Sequence, residues 1–215
     1  MKKLVIIGAG DLGKEVSWLV SDLSKAGEEV ELVGFVDDDP KKHSLQIYGF
    51  KVLGSLSWLE DKADEFLAVL AVGDIFSKKN IVKQMHRAGI KFYTLIHPQV
   101  IKAENVKIGE GSIIFPGVVL SVNVKVGKFV LLNPGITLSH DVEIGDWTLV
   151  GAGVHLAGGV KVGKECELGT SASAIPRVQI ADRVILGAGA VAIRNLPEGV
   201  VAVGVPAKVI KERTD

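Results

Sequence analysis

Aliphatic residues fall at two different spacings along this chain, and the change of spacing divides it. From Val106 to Asn195 the third residue of every block of six is aliphatic, from Ile108, Ile114 and Leu120 to Ile180, Leu186 and Ala192, for fifteen blocks without an insertion. The first residue of most blocks is also small or aliphatic, as at Val106, Val118, Val124 and Val130, and a glycine often follows the third, as at Gly109, Gly127, Gly145 and Gly163. A helix repeats near 3.6 residues and cannot hold a six-residue phase. A hexapeptide period is the mark of a solenoid whose short parallel strands wind into a β-helix.

Upstream the pattern is that of alternating strands and helices. Residues 3–7 are a continuous apolar run, as a buried parallel strand requires. A helical pattern through Val16, Leu19, Val20 and Leu23 follows, then strands at 30–36 and 66–72, a helix at about 77–88 and a last strand at 91–96. The sequence therefore predicts a small α/β domain over residues 1–96 and a β-helix domain with a C-terminal tail over 97–215. His97-Pro98 marks the boundary, because Pro98 biases His97 to an extended conformation, and His97 is taken as a boundary residue.

With three blocks per coil, every eighteenth residue stacks, and the outward residues sort into columns. Lys107, Lys125, Glu143, Lys161 and Gln179 form a polar column; Ile113, Leu131, Leu149, Glu167 and Ile185 an apolar one; Val119, Thr137, His155, Ser173 and Val191 a mixed one. An outward apolar stripe asks for cover, which predicts self-association, with a cyclic trimer the natural closed form for a three-sided prism. The corners sort as well. Those after the polar column are charged. Those after the apolar column are small, as at Gly151-Ala152-Gly153, Gly169-Thr170-Ser171 and Gly187-Ala188-Gly189. Since the charged corners turn without such residues, the small edge is expected to admit a long, thin ligand such as a pantetheine arm.

Composition narrows the class. Lys plus Arg and Asp plus Glu both number 25, so the chain is formally neutral and nothing points to nucleic acid or an anionic membrane. Cys166 is the only cysteine, which excludes a disulfide framework and, at a core position of its block, predicts a buried inert thiol. No apolar stretch is long enough to span a bilayer, the N-terminal apolar run is too short for a signal peptide, and a soluble cytoplasmic protein is expected.

Two places carry candidate chemistry. Gly8-Ala9-Gly10-Asp11-Leu12-Gly13 lies between a strand and a helix, the context in which a GxGxxG loop holds a phosphate; the alternative is a tight turn without a ligand. Asp37-Asp38-Asp39 end the second strand, where an acid meets a ribose or base, although for Asp37 alone a helix cap is equally open. Gly73-Asp74 end the third strand, and Lys78, Lys79, Lys83 and Arg87 of the next helix are assigned to a solvated face. The domain is short for a two-halved dinucleotide fold, which argues against a dehydrogenase and for a single nucleotide. The second place is the corner after the mixed column, where His140 is followed by Asp141. An adjacent carboxylate orients an imidazole and raises its basicity, so His140 is the candidate general base. Backbone N–H groups near Gly158 are candidates for an oxyanion hole. His155, on the next coil of the same face, is expected to be a packed or interface residue.

These segments together resemble one family. The glycine loop, Gly34-Phe35-Val36-Asp37-Asp38, Ala71-Val72-Gly73-Asp74, His97-Pro98, Ser139-His140-Asp141-Val142-Glu143-Ile144-Gly145-Asp146 and Gly204-Val205-Pro206-Ala207-Lys208 are similar to the bacterial sugar acetyltransferases of the left-handed β-helix type. Its members include nucleotide-activated amino-sugar N-acetyltransferases and sialic acid O-acetyltransferases. The resemblance implies a Rossmann-like N-terminal domain followed by a left-handed parallel β-helix, in a homotrimer with active sites between subunits. It implies acetyl-CoA as donor, with no metal, contacted by Leu149, Gly158, Gly169, Thr170, Gly187, Ala188 and Lys208. It implies that Gly10, Asp11, Leu12, Gly13, Asp37, Asp38 and Gly73 hold the nucleotide of the acceptor, that His140 is the base and that Asp141 supports it. Many members carry a second histidine where this chain has Leu149, so that contact is absent or replaced. The activity so implied is N-acetylation of a nucleotide-linked amino sugar in bacterial surface glycan biosynthesis. O-acetylation of a sialic acid or another sugar, and a non-catalytic hexapeptide scaffold, stand as the alternatives.

Overall fold

The computed structural model describes residues 1–214, which form two compact units, Met1–Pro98 and a second that begins at Gln99. In the first, strands β1 (Lys2–Ile7), β2 (Val30–Val36), β3 (Gln46–Ile47), β4 (Phe50–Gly54), β5 (Leu67–Leu70) and β6 (Lys91–Phe92) lie in the order β3-β4-β2-β1-β5-β6, parallel except for β3. Leu4, Val5 and Ile6 of β1 are fully buried because a central strand of a parallel sheet is covered on both faces. Helix α1 (Asp11–Lys25) buries Val16, Leu19, Val20 and Leu23, one face at helical spacing. Each such side chain contributes roughly 1.5–3 kcal/mol of burial.

Three local differences from the pattern-based reading have identifiable causes. The β3–β4 hairpin and the short helix α2 (Leu56–Glu60) carry little periodic signal. The hairpin turns on Tyr48-Gly49, with φ of 49° and 86°, and a tyrosine at positive φ is not a turn signal. Helix α3 (Ile75–Arg87) starts two residues earlier than the predicted helix because the Asp74 side chain accepts the Ser77 N–H at 2.7 Å and caps it. Finally, Lys78 is not solvated: it is 3% exposed on the same face as buried Val82 and Met85, with only Lys83 and Arg87 of that basic set fully in water. Its alkyl stem at i, i+4 and i+7 packs as an apolar residue does.

The second unit is a parallel β-helix. Its two-residue strands stack in register every eighteen residues, as in Lys107↔Lys125↔Glu143↔Lys161↔Gln179 and Val119↔Thr137↔His155↔Ser173↔Val191. The inward residue of almost every strand is buried, so the six-residue period is the core. Two interior positions are polar. The Ser112 hydroxyl donates to the Gly127 carbonyl at 2.8 Å and accepts the Val130 N–H, and the Thr148 hydroxyl does the same between Gly163 and Cys166, so neither is unsatisfied. After Asn195 the period ends. Val200–Val203 extends the apolar-column sheet beside Ile185–Leu186, and Lys208–Glu212 returns antiparallel to it.

The apolar column is not the open stripe that its sequence suggested. Ile113 and Leu131 are buried within the chain itself, Leu149 and Ile185 are half-buried, and Glu167 is clamped by Arg213 at 2.7 Å. One chain thus withdraws part of that face from water and leaves Leu149 and Ile185 partly exposed.

Cys166 is fully buried, as expected, and donates its thiol hydrogen towards the Ala181 carbonyl at 3.1 Å. Burial pushes its pKa up to about 11. The native protein should therefore stay unlabelled by iodoacetamide at pH 7.5 and take up one equivalent only in denaturant; rapid native labelling would contradict the buried site.

Candidate active site

Every coil turns through residues in the left-handed region, and this geometry decides which side chains reach the surface. At the corner after the polar column the third residue is Phe129, Trp147, Glu165 or Arg183, with φ of 55–66°. At the corner after the mixed column it is Asn123, Asp141, Gly159 or Arg177, with φ of 61–73°. Asn and Asp tolerate this conformation best among side-chain-bearing residues. The backbone there projects the Asn123 and Asp141 side chains outward, one coil above the other.

His140 stands immediately before this turn, with its side chain 64% exposed. Its Nδ1 lies 2.8 Å from Asp141 Oδ2. The other carboxylate oxygen, Oδ1, accepts the Asn123 side-chain N–H at 2.9 Å. Hydrogen bonds from His140 and then from Asn123 hold the Asp141 carboxyl below the usual carboxylate range, so it is ionised at neutral pH. An ionised carboxylate accepts only, which places the imidazole proton on Nδ1 and leaves the lone pair of Nε2 for a substrate proton. The backbone of Asp141 is held too. Its N–H donates to the Val122 carbonyl at 3.0 Å, and its own carbonyl accepts from Lys161 Nζ at 3.4 Å. Lys161 is in turn fixed to Glu143 at 2.6 Å.

The ring of His140 folds over Gly158 on the next coil. A Cβ built on Gly158 would fall 2.5 Å from the ring Cε1 and collide with Nε2, so only glycine leaves the ring its place. Gly159 donates its N–H to the His140 carbonyl at 2.9 Å, whereas the Gly158 N–H has no protein acceptor among the described residues. An imidazole lone pair and a free backbone donor thus lie beside one another, the pairing that an acyl transfer requires.

The small edge also resolves in detail. A Cβ on Gly151 or Gly169 would meet the next coil's backbone at 2.5–2.9 Å, and one on Gly187 would meet the Val203 side chain at 2.7 Å. Gly109, Gly145 and Gly163 on the charged corners are crowded in the same way. On these coils glycine at the first corner position leaves room for the next coil on both edges, whereas Phe115, Asn133 and Ala181 fill the same position on other coils. Gly169 and Gly187 are closed in their Cβ directions by the Ala188 backbone and the Val203 side chain. The outer positions differ: Thr170 and Ala188 stack at the surface and are exposed, and Gly189 has open space around it. Lys208 is exposed on the returning C-terminal strand opposite Val203. Leu149 is half-buried between Leu131 and Glu167. His155 is exposed and shares a 2.7 Å hydrogen bond with the Thr137 hydroxyl, so it is not packed within the chain.

In the α/β unit the three loop glycines have three separate reasons. Gly8 has a φ of 105°, and a side chain there would strike the Ala71 carbonyl at 2.5 Å. A Cβ on Gly13 would strike the Gly8 carbonyl, so this glycine lets α1 approach β1. Gly10 has nothing within 4 Å of its Cβ direction and is the uncapped N-terminus of α1. Gly73 is likewise open and exposed. Asp11 is exposed and paired with Lys14 at 2.9 Å, and Leu12 is half-buried.

The acids at the end of β2 differ in burial: Asp37 is half-buried, whereas Asp38 and Asp39 are exposed. Asp37 Oδ2 accepts the Ala9 N–H at 2.9 Å and Lys42 Nζ at 2.8 Å, and Oδ1 accepts the Asp39 N–H at 3.0 Å. Burial pushes the Asp37 carboxyl up, but hydrogen bonds from Lys42, Ala9 and Asp39 outweigh it and hold it below the usual range. Asp38 Oδ1 accepts the Leu56 N–H at 2.9 Å at the start of α2. Asp37 thus braces the glycine loop and Asp38 caps the start of α2, while the Asp38 side chain stays exposed. His97 is 4% exposed, with Nε2 3.3 Å from Asp22 Oδ2. No group of three or more metal-ligating side chains occurs among the described residues, and no helix among them is long and apolar enough to cross a membrane.

The PglD N-terminal domain family matches residues 3–85. No curated protein sequence matches the chain significantly. Among solved structures the chain is similar to PerB from Caulobacter crescentus in complex with CoA and GDP-perosamine, at 32% identity over 98% of each chain with a TM-score of 0.85. A histidine-to-asparagine form of perosamine N-acetyltransferase from the same organism, also with CoA and GDP-perosamine, matches at 31% identity over 99% of this chain and 98% of that one, with a TM-score of 0.87. The acetyltransferase domain of PglB from Neisseria gonorrhoeae in complex with acetyl coenzyme A matches at 29% identity over 97% of this chain and 99% of that one, with a TM-score of 0.87.

Proposed function

This chain belongs to the left-handed β-helix family of hexapeptide-repeat sugar N-acetyltransferases, and from that premise we propose that it transfers the acetyl group of acetyl-CoA to the amino group of a nucleotide-linked amino sugar. The observation that carries the reading is the His140 ring, tied to Asp141 through Nδ1 and lying over the free N–H of Gly158. Nε2 of His140 takes a proton from the amine as its nitrogen attacks the thioester carbon. The oxygen of the tetrahedral adduct gains charge and is met by the Gly158 N–H, where a preorganised donor stabilises the charge as it forms. Collapse breaks the carbon–sulfur bond, the His140 proton passes to the sulfur, and the products are an amide and CoA thiol. No step needs a metal or a covalent enzyme intermediate.

The nucleotide of the acceptor binds the α/β unit at Gly10–Gly13 and Gly73, with open space beside Gly10 and Gly73. The free N–H groups at the start of α1 suit a phosphate. Asp37 fixes the glycine loop, and the exposed Asp38 beside the start of α2 offers an acceptor to the nucleotide. Acetyl-CoA lies along Thr170, Ala188 and Lys208. That edge follows the apolar column, whereas His140 and Gly158 follow the mixed column, so within one chain they occupy different edges of the prism. A cofactor on the small edge therefore meets the base of a neighbouring chain, which supports a homotrimer with active sites between subunits. Val122, Ile175 and Ile193, exposed by 41–48% on the His140 edge, give such a neighbour apolar surface to cover. A cytoplasmic location suits a reaction that consumes acetyl-CoA.

Release of free thiol from acetyl-CoA with a panel of UDP-, dTDP- and GDP-linked amino sugars tests the reading. Release with an amino sugar supports it. Release with hydroxyl acceptors alone, or none with any acceptor, overturns it in favour of an O-transferase or a scaffold. For the cofactor edge, Ala188→Trp places an indole on an exposed position and should raise the acetyl-CoA KM by about tenfold with kcat nearly unchanged. An unchanged KM would remove that edge from the binding site.

A further inference from the structure

The Asp141 carboxylate does not stand alone behind His140. It is the outer member of a hydrogen-bonded stack that runs through successive coils at one corner. Asp141 Oδ1 accepts from Asn123 Nδ2 at 2.9 Å, and the Asn123 carboxamide oxygen accepts from Asn105 Nδ2. The Asn105 oxygen in turn accepts the Asn123 backbone N–H at 3.1 Å. Asn123 is thus gripped by Asn105 on both its side chain and its backbone, and its remaining donor is aimed at Asp141.

Chemistry fixes the direction of this stack. A carboxylate only accepts, so the Asn123 group that faces Asp141 is its NH₂, and the carboxamide oxygen faces Asn105. Asn123 and Asp141 share the left-handed conformation, with φ of 62° and 61°, and so project in parallel from adjacent coils. A free Asp side chain on an exposed corner, 52% accessible here, has several rotamers in reach. With Oδ1 held from below by Asn123, Oδ2 is left facing His140 Nδ1. The Lys161 contact fixes the Asp141 backbone from another side but leaves the carboxylate torsion free.

We propose that Asn123, braced by Asn105, is a positioning residue for acetyl transfer: it sets the rotamer of Asp141 that orients the imidazole of His140. The inference rests on the role of His140 proposed above. Asn123 touches no reacting atom in this scheme, so its effect passes wholly through Asp141.

That last property makes the test specific. Asn123→Gly removes the carboxamide yet tolerates the positive φ, so the turn is kept. With acetyl-CoA and whichever UDP-, dTDP- or GDP-linked amino sugar gives the fastest thiol release, kcat should fall about tenfold while both KM values stay within about twofold. Asn123→Asp, of the same shape but with an acceptor in place of the donor, should lose at least as much. Combining Asn123→Gly with Asp141→Gly should lose no more than Asp141→Gly alone, since coupled residues are not additive. A normal kcat in Asn123→Gly or Asn123→Asp overturns the inference, as does a double variant whose losses multiply. His140→Ala serves as the separating control: if it too turns over normally, the acetyltransfer mechanism itself has failed. If it alone is inactive, only the role of Asn123 has.

Discussion

Replacing His140 by alanine is expected to lower kcat for acetyl transfer by about 10²–10⁴, the usual worth of a positioned general base, with both KM values nearly unchanged. The side chain is 64% exposed and packs into no core, so its loss removes the base without unfolding the coil. The effect should be large because nothing nearby replaces Nε2. Asp141 is ionised, but its carboxylate is committed to His140 and Asn123, and His155 is engaged with the Thr137 hydroxyl. Steady-state thiol release at saturating acetyl-CoA measures the change directly. Turnover within about threefold of the parent enzyme would remove His140 from the mechanism.

The second large effect is expected at a residue with no side chain. Gly158→Ala should reduce kcat by about 10²-fold, because displacement of a catalytic group by an ångström is enough for such a loss. The added Cβ has no place beside the His140 ring, whose atoms lie 2.5 Å away and nearer. Gly158 is absent from the positive-φ residues, so alanine fits the backbone there, and the ring rather than the coil must yield. The melting temperature should therefore hold within a few degrees while activity falls. This combination separates a misplaced base from a damaged fold. Loss of both together would mean that Gly158 serves stacking, as Gly169 does, and an unchanged kcat would mean that the ring does not stand over Gly158 during turnover.

Both predictions concern one corner, and the sequence showed only half of it. His140 beside Asp141 is adjacent in the chain and was legible as a base with its carboxylate. Asn105, Asn123 and Gly158 are eighteen residues or a multiple of it from Asp141 or His140 and were open to the same column arithmetic. Gly158 was found as a backbone candidate. The asparagines were not, because an Asn at a turn is ordinary turn chemistry unless its partner is known. At Asp37 and Asp38 the strand-end position is legible in the sequence, whereas the bracing contacts with Ala9, Lys42 and Leu56 exist only in the folded chain.

The sequence by itself determined the division into an α/β unit and a β-helix, since the period of apolar residues is a direct imprint of which side chains leave water. It also determined the three columns, because the period fixes the stacking. Tertiary structure alone decided what those columns face and which glycines are free. The apolar column is partly buried by the chain's own later segments, such as Arg213 against Glu167, at a sequence distance no local pattern encodes. The glycines look alike in sequence, yet Gly169 is closed by the next coil, Gly158 by an imidazole, and Gly10 by nothing. The reason is physical: periodicity records burial, whereas a site is made by directions and distances between side chains on different coils, and those exist only once the coils are stacked.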